Sequence, residues 1–162
     1  MIDNSKRNFF KRVKTPFSFL ISPPYYEDKS RFVECYECET KACVEACEEK
    51  IIFIENEVPV LKFNNSGCSF CDECAVVCEK NVLDIEFKKS KLNCEIFINP
   101  KKCISWNQTI CFACLDVCDV RAIKFKGMFN PIIDEEICTS CGMCVSVCPT
   151  NSLEILRKEE NV

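Results

Sequence analysis

Apolar residues along this chain come in short bursts. Seven segments of four to six residues, rich in Ile, Val and Phe, recur between polar stretches: I-I-F-I (51–54), V-P-V-L-K-F (58–63), V-L-D-I-E-F (82–87), C-E-I-F-I (94–98), A-I-K-F (122–125), N-P-I-I-D (130–134) and S-L-E-I-L (152–156). Such runs predict short strands, and E-N-E (55–57) and K-G-M-F-N (126–130) between flanking runs predict hairpin turns. Four other stretches, C-V-E-A-C-E-E-K, E-C-A-V-V-C-E-K, L-D-V-C-D-V and M-C-V-S-V-C-P-T, have room for one or two helical turns. Helices that short do not stand alone in water. No stretch approaches the roughly 20 apolar residues of a membrane-spanning helix. The pattern predicts an α+β fold in two small units, each with two short helices and two-stranded sheets.

What those units fold around is written in the cysteines. Seventeen occur among 162 residues, and there is no histidine. Without an imidazole, catalytic triads, mixed Cys/His zinc fingers, Rieske centres and histidine-ligated haem are excluded. The three glycines, Gly67, Gly127 and Gly142, lie too far apart for a P-loop or a dinucleotide fingerprint. Sixteen cysteines fall into four blocks: Cys35, Cys38, Cys43, Cys47 (C-x2-C-x4-C-x3-C); Cys68, Cys71, Cys74, Cys78 (C-x2-C-x2-C-x3-C); Cys103, Cys111, Cys114, Cys118 (C-x7-C-x2-C-x3-C); and Cys138, Cys141, Cys144, Cys148 (C-x2-C-x2-C-x3-C, then Pro149). Blocks one and two repeat as blocks three and four at an offset of 70 or 71 residues. That is an internal duplication of a two-motif module.

Blocks two and four match the bacterial ferredoxin run, in which three closely spaced thiolates grip one 4Fe-4S cluster and the fourth ligates its neighbour. Short spacers turn three sulfurs toward one cluster, and the x3 spacer begins a helix that carries the last sulfur away. Crossing the ligands in this way predicts four clusters: Cys35, Cys38, Cys43 and Cys78; Cys68, Cys71, Cys74 and Cys47; Cys103, Cys111, Cys114 and Cys148; Cys138, Cys141, Cys144 and Cys118. Structural zinc would want paired C-x2-C hooks about 15–20 residues apart, and a disulfide framework belongs to secreted chains. Blocks one and three depart by insertions, two residues in one, where Thr40 and Lys41 fall, and five in the other, within residues 104–110. Cys94, in an apolar run, reads as a buried small hydrophobe rather than a further ligand.

Metal ligation would supply folding free energy that modules of about 60 residues cannot draw from their own cores, so the metal-free chain is expected to be largely unfolded. The expected organisation is a tail with a Pro/aromatic segment (1–30), a first ferredoxin-like module (31–92) and a second (93–162). The tail is basic: residues 1–14 hold Lys6, Arg7, Lys11, Arg12 and Lys14 against Asp3, and the rest of the chain carries −8. Four clusters with thiolate ligands, each about −2 when oxidised, would deepen that acidity. An acidic body argues against nucleic acid as a partner. S-K-R-N-F-F-K (5–11) is similar to a degenerate twin-arginine export signal, but the apolar run after it is six residues long and no A-x-A follows. A retained basic tail on a soluble, cytoplasmic protein is the expectation, with the tail and the Pro23-Pro24 aromatic segment as a docking surface.

Taken together, the degenerate export-like start, I-S-P-P-Y-Y (21–26), K-S-R-F (29–32), C-S-F-C-D-E-C-A-V-V-C, the seven-residue spacer of block three and C-T-S-C-G-M-C-V-S-V-C-P resemble the NapF-type ferredoxin-like accessory proteins of periplasmic nitrate reductase systems. Block one departs, with four residues between Cys38 and Cys43 where that family commonly has two. The resemblance implies four 4Fe-4S clusters and a cytoplasmic role in maturing the catalytic subunit of periplasmic nitrate reductase, engaged as its precursor, with one-electron transfer and no catalytic residue. The alternative is a polyferredoxin relay between a membrane-bound quinol-side donor, or a ferredoxin, and a reductase.

Overall fold

A computed structural model describes residues 20–157. The export-like start, the basic cluster of residues 1–14 and the last five residues lie outside the described residues. Four one-turn helices, α1 (Ala42–Glu45), α2 (Glu73–Val76), α3 (Ala113–Asp116) and α4 (Met143–Ser146), each carry the third cysteine of a block. Six strands form three antiparallel pairs: β1 (Ile52–Glu55) with β2 (Val58–Leu61), β4 (Ile123–Phe125) with β5 (Pro131–Ile133), and β3 (Cys94–Ile98) with β6 (Leu153–Arg157). α1 packs on α2 and α3 on α4.

The same turn recurs four times. Three residues after the last cysteine of each block, Lys50, Asn81, Arg121 and Asn151 sit at φ 53, 50, 53 and 48. Each returns its N–H to the carbonyl of that cysteine, at 3.1, 3.0, 2.9 and 3.2 Å. A left-handed residue reverses the chain at once. Each helix thereby turns back toward a strand, sheltering the cysteine it ends on.

The two halves differ at their outer edges. In the second, the first strand pairs with the last, Cys94 opposite Arg157 through Ile98 opposite Leu153. The corresponding pair is absent from the first half among the described residues, and the strand expected over 82–87 does not form. Its end is a 3-10 helix, Ile85–Phe87, opened by the Asp84 carboxylate accepting from the Glu86 N–H at 2.9 Å. The chain enters block one likewise through a 3-10 helix, Lys29–Glu37, which is capped by Asp28 and includes Cys35. The space of a strand pair is filled by residues 20–26, whose carbonyls accept N–H groups from three places: Ile21 from Leu61, Pro24 from Lys89 and Tyr25 from Asp84, each at 2.7 Å. Pro23 and Pro24 have no N–H to return, so no ladder can form there.

This arrangement corrects the expectation that the Pro/aromatic segment is part of an exposed tail. Tyr25 and Tyr26 are 1% and 2% exposed, and Pro23 and Pro24 are fully buried. Ile21, Tyr25, Tyr26 and Phe32 belong to the core of the first half together with Ile51, Val58, Leu61 and Leu83. A smaller cluster, Ile96, Cys114, Ile123, Cys144 and Leu153, forms the second core. The Tyr25 hydroxyl accepts the Asp72 N–H at 3.0 Å, inside block two. Tyr25→Phe removes that acceptor, and a loss of about 1–3 kcal/mol is expected, read as a lowered denaturant midpoint of the metal-loaded protein.

Candidate iron-sulfur centres

All seventeen cysteines are free, and every block cysteine lies at the wall of a cavity. Cys35, Cys38, Cys43 and Cys78 line one, beneath Leu83 and Lys41. Cys47, Cys68, Cys71 and Cys74 line another, closed by Pro23, Pro24 and Tyr25. Cys103, Cys111, Cys114 and Cys148 line a third with Ile98, Ser105 and Leu153, and Cys118, Cys138, Cys141 and Cys144 line a fourth with Ile96 and Ile123. In every case three sulfurs come from one block and the fourth from its partner block. The helices cause this, because a single turn after the third cysteine places the fourth on the far side of the helix pair.

Those cavities suit a body larger than one ion. Tetrahedral zinc draws four thiolates to about 2.3 Å of a point, yet among the described residues no three His, Cys, Asp or Glu side chains are grouped closely enough to hold a single metal ion. Four soft sulfurs around an otherwise mainly apolar space are the donor set of a multinuclear iron-sulfur cofactor. Backbone donors already face the sulfurs: the N–H of Leu83 reaches Cys78 Sγ at 3.4 Å, that of Ala122 reaches Cys118 at 3.3 Å, that of Ser140 reaches Cys138 at 3.4 Å and that of Ser152 reaches Cys148 at 3.2 Å.

Burial governs the thiols. It pushes Cys35 up to about 12 and Cys43, Cys68 and Cys114 up to about 11, with neighbouring cysteines adding to the rise, and it raises Cys74, Cys141 and Cys144 as well. Cys148 goes the other way: burial opposes ionisation, but hydrogen bonds from the hydroxyl and N–H of Ser152 and from Thr150 bring it down to about 7. Most of these sulfurs therefore remain thiols at neutral pH until a metal displaces the proton, so loading releases protons and weakens as pH falls.

Block one absorbs its two extra residues without moving the helix start. Lys41 stands at φ 46 just before α1, as Asp72 at φ 71 and Gly142 at φ 87 stand before α2 and α4. Its ammonium group donates to the carbonyls of Cys35 and Glu57. Lys41 thus puts a positive charge beside this cavity, a feature that cysteine spacing alone did not single out. Cys94 is fully buried in β3 with its thiol on the Ser140 carbonyl at 3.8 Å, burial pushes it up to about 12, and it lines none of the four cavities.

The halves meet where blocks two and four touch. The Cys68 N–H donates to the Cys141 carbonyl at 2.7 Å, and the Leu92 N–H donates to the Thr139 carbonyl at 3.0 Å. A methyl group on Gly67 would lie 2.2 Å from the Met143 nitrogen, and one on Gly142 would lie 2.4 Å from the Phe63 ring. Glycine is what allows these two loops their contact. The cavities lined by blocks two and four are accordingly neighbours across this contact.

Among known families, a 4Fe-4S binding domain matches residues 131–154, which contain β5, α4 and all four cysteines of block four. Over 158 residues the chain is 29% identical to the ferredoxin-type protein NapF of Escherichia coli K12, covering 94% of each protein. It is 28% identical over 167 residues to the ferredoxin-type protein NapF of Haemophilus influenzae, covering 98% of this chain and 86% of the relative. It is also 25% identical over 127 residues to the methylamine utilization ferredoxin-type protein MauM of Methylophilus methylotrophus, covering 65% of this chain and 56% of that one. The resemblance carried by the cysteine blocks thus extends along nearly the whole sequence, and the domain is ferredoxin-like.

Proposed function

We propose that this chain, a ferredoxin-type relative of NapF, holds four 4Fe-4S clusters in two tandem dicluster modules and assists cytoplasmic maturation of the catalytic subunit of periplasmic nitrate reductase, with one-electron transfer. The observation that supports it best is the crossing of the cysteines: three from one block and one from its partner, around each of four cavities. Clusters bound there supply one-electron storage at each station. The chain's own residues hold the sulfurs, exclude water with Tyr25, Ile52, Ile96, Leu83 and Leu153, and present N–H groups to the thiolates. The protein binds and carries electrons and has no catalytic residue.

The modules are drawn at residues 20–92 and 93–162, because residues 20–30 complete the first. With the Pro/aromatic segment buried, docking on the reductase precursor falls to the basic residues of the tail. Among the described residues no helix is long and apolar enough to cross a membrane. The test is an anaerobic pull-down with holo-protein, comparing the precursor of the catalytic subunit with its mature form, iron and sulfide being assayed on the same sample. Selective capture of the precursor is expected, and removing residues 1–14 should abolish capture while leaving iron content unchanged. Capture of mature enzyme alone, or of both forms equally, would favour the relay from a quinol-side or ferredoxin donor, a reading for which the contact between the loops of blocks two and four speaks.

A further inference from the structure

Seven residues separate Cys103 from Cys111 where blocks two and four have two. The insertion is a folded turn rather than slack chain. The Asn107 N–H reaches the carbonyls of Cys103 and Ile104 at 3.2 and 3.1 Å, the Thr109 N–H reaches Ile104 at 3.0 Å, and the Gln108 N–H reaches Ser105 at 3.2 Å. Gln108 takes φ 63 to close the turn. The Asn107 side-chain amide donates to the Cys103 carbonyl at 2.8 Å, and the Trp106 indole N–H donates to the Pro131 carbonyl at 3.0 Å, pinning the turn to β5.

All this order holds Ser105 in the wall of the cavity that Cys103, Cys111, Cys114 and Cys148 line. Ser105 is 1% exposed, and its hydroxyl is the one buried side-chain oxygen or nitrogen among the described residues with no hydrogen-bond partner. The comparison with block four is informative: Ser140 is just as buried, but its hydroxyl donates to the Cys94 carbonyl at 2.7 Å. A buried hydroxyl without a partner is costly, and it persists where a bound group completes it. What shares this cavity with it is sulfur.

We propose that the Ser105 hydroxyl donates a hydrogen bond to a sulfur of the cluster held by Cys103, Cys111, Cys114 and Cys148, and that the seven-residue spacer exists to place it. The inference rests on the four-cluster reading. A hydrogen bond to cluster sulfur favours the more negative, reduced state and raises the potential. This cavity is already rich in such donors, since Cys148 Sγ lies 3.1 Å from the Ser152 hydroxyl and accepts the Ser152 N–H. The Ser105 hydroxyl adds one more donor, so the cluster of this cavity is easier to reduce than it would be without it.

The test compares holo-protein, Ser105→Ala and Ser105→Thr by iron and sulfide content, EPR-monitored redox titration and proton ENDOR after exchange into D2O. The signal of this site is identified as the one lost in Cys111→Ala. Ser105→Ala should shift it to a more negative potential and remove one exchangeable-proton coupling, with iron unchanged, and Ser105→Thr should restore both. Iron loss in Ser105→Ala but not in Ser105→Thr would support the same contact, and loss in both would overturn it. Full iron with an unmoved potential in Ser105→Ala would overturn the hydrogen bond while leaving four clusters standing. Wild-type iron that does not fall in Cys111→Ala would overturn the cluster reading itself, and this inference with it.

Discussion

Cys78→Ala should empty a site to which its neighbours in sequence do not belong. Cys78 closes block two, yet its sulfur lines the cavity of Cys35, Cys38 and Cys43, because α2 carries it past Cys74 to the other side of the helix pair. The Leu83 N–H at 3.4 Å helps hold it there. Three remaining thiolates hold a cluster poorly, so about a quarter of the iron should be lost. The EPR signal that disappears should be the one that Cys38→Ala also removes and that Cys71→Ala spares. If Cys78→Ala and Cys71→Ala erase the same signal, the crossing is wrong and each block keeps its own cluster.

Gly67→Ala is the second. One added methyl group would sit 2.2 Å from the Met143 nitrogen and 2.5 Å from the Cys141 carbonyl oxygen, both backbone atoms that cannot swing aside. Either the halves separate locally or block four shifts, with an overpacking cost of about 1–3 kcal/mol. The damage falls on the join between the second and fourth blocks, so each half should keep its iron while electron exchange between halves slows. Hydrogen exchange gives the direct readout: the Cys68 amide, bonded to Cys141 in the native protein, should lose protection. Unchanged protection at Cys68 would mean that the loops accommodate the methyl and that the contact is not rigid.

Five of the six strands overlap apolar runs to within a residue or so, and β3 coincides with the run 94–98. β2 ends two residues before its run does. Local pattern was enough there, since a strand's own residues report the face it buries. The one-turn helices were equally legible, because cysteine spacing is itself a geometric statement. The failures share a cause. V-L-D-I-E-F has the composition of a strand, but a strand needs an edge to pair with, and the partner position is held by a Pro-Pro segment some 60 residues away that has no N–H to offer. Likewise, Tyr25 and Tyr26 beside two prolines look like an exposed recognition motif until Asp84 and Lys89 are seen to donate to that backbone. Ser105 gave no local signal either; its significance lies in the absence of a partner, which only three-dimensional packing reveals.

The burial of residues 20–26 also sets the timetable on which the protein is made. This segment is translated before the four cysteine blocks, yet its partners are Leu61, Asp84, Lys89 and Asn93, the last accepting the Ser22 N–H at 3.0 Å across 71 positions. Pro23, Pro24 and Tyr25 wall the cavity of Cys47, Cys68, Cys71 and Cys74. Until residue 93 clears the ribosome, that wall has little to lean on, and the thiols of blocks one and two emerge into solvent unsheltered. At synthesis rates of roughly 5–20 residues per second, the interval between Cys35 and Asn93 lasts several seconds. During that interval the sulfurs of the first half are open to iron donors and to oxidants alike, before Pro23, Pro24 and Tyr25 can close over the cavity they wall.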